Sequence, residues 1–334
     1  MSIKLPKQLR GVADRELLSK IESGLERVEL GLLKATEHTD PIAKVSIRHL
    51  VEAGGKRLRP VLVLLTAQFG DPTSQDVIDA AVVVELTHLA TLYHDDVMDD
   101  APTRRGVATA QNIWGNNVAI LTGDLLFARA SQLVSKLGVR ALTLQADTFE
   151  RLCLGQLHET LGPSEGVNKR EHYIQVLADK TGSLIAAAAQ MGILFSGAPA
   201  EFDEPVRVFG EKIGVAFQLI DDVIDISEAG PSGKTPGTDL RAGVPTLPVL
   251  LLRERAETDA EAAALVALID GGLESDEDLN EALTRLRKHE VAELSYLEAK
   301  RWSDDAVTAL APLPDGPVKK ALTVFAAAVV DRNN

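Results

Sequence analysis

From Ser74 to Asp99, apolar residues recur at helical spacing for about seven turns, roughly 39 Å of helix at 1.5 Å per residue. A helix this apolar must be covered by protein or by lipid. Asp79, Glu85 and His88 interrupt "DVIDAAVVVELTHLATLY", so a membrane span is not expected and the segment suits the centre of a helical bundle. The 334 residues are 45% hydrophobic and 25% charged, ample for a large core. Aromatics are only 4% while Ala, Leu and Val dominate, which favours packed helices over strands. The expected fold class is all-α: one large bundle of about ten or more helices, with residues 1–334 as a single domain.

Punctuation along the chain divides it into helices. Asp40 is a candidate N-cap with Pro41 at the first helical position, and Gly54-Gly55 closes that segment. A second helix is expected from near Pro60 to "GDP" at 70–72, then the central one from Ser74 to Asp99. Further helices are expected at about 117–137, 139–161, 170–196 and 203–227, and near 246–256, 259–270, 276–287, 290–311 and 316–331. Strand signals are nearly absent.

The net charge, 35 − 49 = −14, opposes binding to nucleic acid or anionic membrane unless cations cluster locally. The single cysteine, Cys153, can form no intramolecular disulfide, and "ERLCLGQL" predicts a buried helix residue in a reducing, cytoplasmic setting. The N-terminus lacks the apolar stretch of a signal peptide.

An internal echo carries the chemistry. "DDVMD" at 95–99 recurs as "DDVID" at 221–225, each ending an apolar helix. Chance supplies such a pattern roughly 0.08 times in a chain of this length and charge content. On a helix Asp95 and Asp99 share a face, as do Asp221 and Asp225, whereas Asp96 and Asp222 point about 100° away. Carboxylates at that spacing repel and ask for a cation; magnesium fits, because it binds through one or two carboxylates plus substrate phosphates and keeps several waters. Either copy alone would read as a solvated acidic helix end. Beside them stand cations: Lys56, Arg57 and Arg59 in "GGKRLRP", and Arg104 and Arg105 in "TRRG", whose guanidinium forks and ammonium suit phosphate oxygens.

Through "GGKRLRP", "HLATLYHDDVMDDAPTRRG", "GNNVAILTGDLLFARA", "DKTGSLIAAAA", "FQLIDDVIDI" and "GKTPGTDLRAGVPTLP", residues 45 to 252 resemble the trans-isoprenyl (polyprenyl) diphosphate synthases. The resemblance implies an isoprenoid-synthase bundle around a central cavity and a head-to-tail condensation of isopentenyl diphosphate with an allylic diphosphate. It implies that Asp95, Asp99 and Asp221 hold magnesium, three ions per site, with Asp96, Asp222 and Asp225 in support. Arg104, Lys180 and Lys234 would contact the allylic diphosphate, and Lys56, Arg59, His88 and Arg105 the isopentenyl diphosphate. Thr181 and Gln218 would stabilise the allylic cation, Thr181-Gly182 also reading as a simple helix kink. His94 is expected to orient the acidic cluster, and no partner is evident for His158 or His172.

Chain length is a separate question. The prenyl tail is expected to run back along the helix bearing Asp95, where Ala90, Thr91 and Thr87 are small and predict an open shaft. With that shaft, the resemblance implies an all-trans product of about eight to ten isoprene units, with about C20 as the competing length. A terpene cyclase or head-to-head synthase shares the aspartate motifs but has no need of "GGKRLRP"; a regulatory subunit would be expected to have lost a motif, and none is lost here. A homodimer through "GNNVAILTGDLLFARASQLV" is expected, with at most transient membrane contact for releasing a greasy product.

Overall fold

Side-chain caps start one helix after another in the computed structural model, which describes residues 14–228 and 236–331. Helix α1 (Arg15–Ala35) opens on Asp14, whose carboxylate accepts from the Glu16 amide; α2 (Pro41–Glu52) opens on Asp40, which accepts from Ala43. After α3 (Leu58–Thr66) comes α4 (Gln75–Met98), the expected central helix, capped by the Ser74 hydroxyl. A two-stranded hairpin, β1 (Thr103–Arg104) and β2 (Val107–Ala108), leads to α5 (Ala110–Trp114), α6 (Asn116–Val134) and α7 (Val139–Leu161). Helix α8 (Lys169–Leu177), capped by Asn168, runs into a π-helical turn at Ala178–Gly182 and then α9 (Ser183–Ser196). The remainder is α10 (Asp203–Ile226), α11 (Thr238–Arg241), α12 (Leu247–Arg255), α13 (Ala260–Asp270), α14 (Asp276–Lys288), α15 (Glu290–Ala309) and α16 (Pro317–Val330).

The chain's contacts gather into two compact units, each assembled from three stretches. The first holds Met1–Glu150, Leu184–Gly210 and Leu310–Val324. Its centre is α4, packed chiefly by α6, α3 and α1. By length and hydropathy α4 could cross a membrane, but 72% of its most apolar window is buried by protein, which makes it a core helix. The second unit holds Arg151–Ser183, Glu211–Ala309 and Phe325–Asn334. There α12 to α15 close over Leu252, Leu265, Leu283 and Leu286, and Val215, Leu219 and Ile220 of α10 pack with Leu247 and Ala299.

Four local readings change. Helix α1 was not expected, because its charges interrupt every apolar run, yet Leu17, Ile21, Leu25, Val28 and Leu32 form a buried stripe at helical spacing. The expected helix at 170–196 is present but passes through a π-turn at Ala178–Gly182. The "TRRGVA" segment forms a short hairpin in a chain whose strand signals are nearly absent. Cys153 is exposed rather than buried, on the side of α7 where Leu154 and Leu157 also face outward; partial desolvation still raises its thiol above the ordinary value, so it is no activated thiolate.

Helix α9 docks on α3 at van der Waals contact. The Thr66 hydroxyl donates to the Ala189 carbonyl at 2.9 Å, and a Cβ on Gly192 would lie 2.0 Å from Thr66 Oγ1 and 2.3 Å from the Val63 oxygen. Backbone stands on one side of that contact, so little can yield. Gly192→Ala is therefore expected to destabilise the protein by about 3 kcal/mol, read as a lowered urea midpoint at unchanged m-value.

Candidate active site

A buried carboxylate organises the cationic loop. Glu85 lies midway along α4 with its side chain 2% exposed, and Arg57 reaches it at 2.8 Å with its own side chain 1% exposed. Arg57 also binds Glu29 at 2.6 Å and the Val51 carbonyl at 3.1 Å. Burial would lower the Arg57 pKa, but Glu29 and Glu85 more than offset it and hold the guanidinium above its ordinary value. Arg57 is therefore a structural cation rather than a phosphate ligand. Its backbone sits in the left-handed region, φ 49°, immediately before α3.

This arrangement leaves Arg59 and Arg105 around the same acid. Arg105 lies 3.8 Å from Glu85 and donates to the carbonyls of Leu50, at 3.1 Å, and Gly54. A Cβ on Gly55 would fall 2.9 Å from the Arg105 guanidinium carbon, so a larger residue there would displace that guanidinium. Arg59 differs: its Nε is buried and has no hydrogen-bond partner, and burial, outweighing Glu85 and Asp95, lowers its pKa to about 10. It remains charged at neutral pH. A buried guanidinium donor without an acceptor is set for an anion. His88 is half-buried, and burial together with Arg59, Arg105, Arg104 and Arg57 pushes its pKa well down, so it is a neutral imidazole here. Lys56 is exposed at the edge of the loop.

The hairpin carrying Arg104 and Arg105 turns through Arg105 (φ 54°) and Gly106 (φ 79°), both left-handed, as a two-residue type I′ turn requires. The last turn of α4 also ends in a left-handed residue, Asp100 at φ 47°, with the Ala101 amide returning to the Asp96 carbonyl at 3.0 Å. That is a Schellman cap, and it gives Asp100 a backbone role. Among the described residues, the non-glycine positions with positive φ are Arg57, Asp100 and Arg105, all bordering this cluster.

In each aspartate motif the outer pair faces accessible space and the middle residue is an anchor. Asp95 is half-buried and Asp99 exposed, whereas Asp96 is buried and bound by Arg104 Nε at 2.6 Å and Nη2 at 2.5 Å. In the second unit Asp221 and Asp225 are half-buried, with Gln218 on the same face, whereas Asp222 is buried. Asp222 accepts from the Tyr173 hydroxyl at 2.7 Å and the Leu247 amide at 3.1 Å. Asp96 and Asp222, expected in support of the metal-binding carboxylates, face 100° away, and each ties a following or neighbouring segment to its helix. Asp225 accepts from the Thr238 and Asp239 amides at 3.0 and 3.2 Å.

Lys180 and Thr181 sit on the π-turn, Thr181 buried and Lys180 bound to Glu159 of α7 at 2.5 Å. Glu159 and Tyr173 were not singled out from sequence; a lone acid in a helical run gives no hint of its partner. Lys234 lies outside the described residues. His94 turns away from the acidic cluster: its Nε2 stands 3.0 Å from the Ile120 carbonyl and 3.4 Å from Asp124, and its ring fills the space beside Gly123. His158 and His172 do meet, with ring centroids 6.2 Å apart. The open shaft beside Ala90 is also corrected. Ala90 and Thr87 are 0% exposed, because 100° per residue carries Ala90 about 140° round from Asp95; half-buried Thr91 and His88 share the Asp95 face.

Among the described residues no three His, Cys, Asp or Glu side chains come together as a metal cage. An accessible carboxylate pair at a helix end instead suits a hard cation that completes its shell with water and phosphate oxygens, as magnesium does.

The family model for polyprenyl synthetase matches residues 40–286, which hold every element from α2 to all but the end of α14 and leave out α1, α15 and α16. The chain belongs to the polyprenyl synthetase family. Nonaprenyl diphosphate synthase of Mycobacterium tuberculosis is 44% identical over 96% of this chain and 96% of its own length. A crystal structure of geranylgeranyl pyrophosphate synthase from Corynebacterium glutamicum, complexed with calcium and isoprenyl diphosphate, has TM-score 0.86 at 42% identity, covering 96% of this chain and 98% of that one. Decaprenyl diphosphate synthase from Rhodobacter capsulatus also has TM-score 0.86, at 32% identity over 96% and 99% of the two chains. As a polyprenyl synthetase, the protein is a magnesium-dependent prenyltransferase acting on isopentenyl and allylic diphosphates.

Two outcomes follow for the polyprenyl synthetase. Glu85→Ala removes the buried partner of Arg57, leaving it only Glu29 and the Val51 carbonyl, and is expected to cost about 3 kcal/mol of stability in urea unfolding. Burial, outweighing its hydrogen bonds, raises Asp222 from 3.8 to about 7. The folded state therefore holds a proton that the unfolded chain has lost; the resulting stabilisation is complete below about pH 4 and disappears as pH rises through about 7. In magnesium-free buffer Asp222→Asn should flatten this limb of the melting temperature against pH.

Proposed function

We propose that this chain builds a long all-trans polyprenyl diphosphate, of about eight to ten isoprene units, rather than stopping at about C20. The nonaprenyl and decaprenyl relatives support that length, as does the small, half-buried Thr91 on the Asp95 face of α4.

The observation that carries the reaction is the contrast between the two kinds of charged site. Arg59 and Arg105, with neutral His88 and exposed Lys56, form a cationic pocket in which Arg59 Nε lacks an acceptor. A diphosphate held there without metal remains attached to its carbon chain, as isopentenyl diphosphate must. Asp95, Asp99 and Asp221 would hold magnesium, three ions in all, for the other diphosphate, and Arg104, Lys180 and Lys234 would contact that diphosphate directly. Magnesium there would supply electrophilic stabilisation of the negative charge growing on the leaving diphosphate.

The allylic C–O bond breaks, the isopentenyl double bond attacks the resulting allylic carbon, and the new C–C bond leaves a cation that loses a proton to the released diphosphate. Thr181 with the carbonyls of the π-turn, and the Gln218 amide, present oxygen dipoles to the cationic carbon. No protein carboxylate is needed as base. The apolar residues exposed on α6, Ile120, Leu121 and Leu125, with Leu142 and Phe149 of α7, support a homodimer. We also place the enzyme in the cytoplasm, with transient membrane contact at product release.

Purified protein with magnesium, isopentenyl diphosphate and dimethylallyl, geranyl, farnesyl or geranylgeranyl diphosphate should release diphosphate and give products centred well beyond C20; a sharp C15 or C20 end point would overturn the long-chain reading. Asp95→Ala or Asp221→Ala should lower kcat by about a thousandfold, and Arg59→Gln should raise the KM for isopentenyl diphosphate with the allylic KM little changed.

A further inference from the structure

The π-turn that carries Lys180 and Thr181 is held from outside by a residue of no recognised motif. Three residues of α7, Arg151, Gly155 and Glu159, follow one another at four-residue spacing and so share one face. All three touch the turn. A Cβ on Gly155 would lie 2.7 Å from the Lys180 backbone nitrogen, and Glu159 binds the Lys180 ammonium at 2.5 Å. Arg151 binds Asp179 with Nε at 2.7 Å, Glu211 of α10 with Nη1 at 2.7 Å and the Ala178 carbonyl with Nη2 at 3.4 Å.

Asp179 is buried and directly precedes Lys180. Its Oδ1 is held by Arg151 and its Oδ2 by Gln175 at 2.8 Å. On the far side a Cβ on Gly182 would lie 2.9 Å from the Glu211 carbonyl oxygen, and one on Gly214 would lie 2.5 Å from Gly182 Cα. The turn is thus pressed between α7 and α10, and the Arg151 guanidinium is the polar bridge across it. A π-turn departs from regular helical hydrogen bonding and persists where surrounding contacts enforce it.

Resting on the role given above to Lys180, we propose that Arg151 is a positioning residue: by bridging Asp179 and Glu211 it sets the π-turn so that Lys180 meets the allylic diphosphate. Its side chain is 34% exposed, so solvent screens its ion pairs, and its contribution is to the placement of the turn more than to global stability. Lysine cannot replace it, since a single ammonium lacks the fork that reaches two carboxylates and a carbonyl together.

The test uses the full chain with magnesium and both substrates. Arg151→Gln should raise the allylic diphosphate KM by about tenfold and leave the isopentenyl diphosphate KM within about twofold, with Arg151→Lys recovering only part of the loss. The deciding comparison is the Lys180→Ala background, where Arg151→Gln should add less than about twofold. A residue that merely supports the fold would keep its full effect there, and that result, or an unchanged allylic KM in Arg151→Gln with a native circular dichroism spectrum, would overturn the proposal. A readout independent of turnover separates this from the reaction itself: after reductive ¹³C-methylation, the Lys180 methyl resonance should shift in Arg151→Gln and in Glu211→Gln, and an unchanged resonance counts against the proposal even if the protein condenses nothing.

Discussion

One buried carboxylate sets the geometry of the first unit's cationic site. Glu85 interrupts the most apolar helix of the chain, where an unpaired charge could not persist, and so draws in Arg57, with Arg105 nearby. Because Arg57 stands at the start of α3, its attachment also fixes "GGKRLRP" against α4. Tyr93 reinforces this by donating to the Ser46 carbonyl at 2.5 Å and accepting from the Leu50 amide at 3.2 Å, which locks the end of α2 to the same helix. One arginine is consumed as structure so that Arg59 remains an unsatisfied donor. The local sum of charges stays positive without scattering the cations into solvent.

The repeated aspartate motif divides labour in the same way at both copies. The outer carboxylates sit on the accessible face, and the middle one turns inward to brace the surrounding chain. At the first copy Asp96 braces Arg104 and the Schellman cap; at the second Asp222 braces Tyr173 and the start of α12. An acid that cannot move is useful beside one that must bind a cation, because like charges four residues apart would otherwise push the helix end open.

Much of this was legible in the residues. Helical spacing, Asp40-Pro41 and Ser74 mark helix starts that the structure reproduces, and the 100° offset already separates Asp96 and Asp222 from their partners. What was not legible depends on pairings distant in sequence or on backbone states that local patterns do not encode. Arg57 reads as one more phosphate cation until Glu29 and Glu85 are placed beside it. Ala90 reads as a shaft lining until its burial shows that another face of α4 is open. The π-turn is hidden because Thr181-Gly182 is compatible with a kink, a bulge or an unbroken helix, and the choice is made by Arg151, Gly155 and Gly214 on other helices.

The left-handed turn at Arg105 has a consequence for variation. At this position side chain and backbone are under separate demands that one residue must meet together: the guanidinium bonds the carbonyls of Leu50 and Gly54, while the main chain occupies a region that most residues avoid. Residues at ease in that region, glycine or asparagine, would discard the charge, and β-branched replacements would be penalised in both respects. Natural drift or laboratory selection that retunes this pocket therefore has few single steps through Arg105. It has to work through the surrounding positions, where shape can change one property at a time.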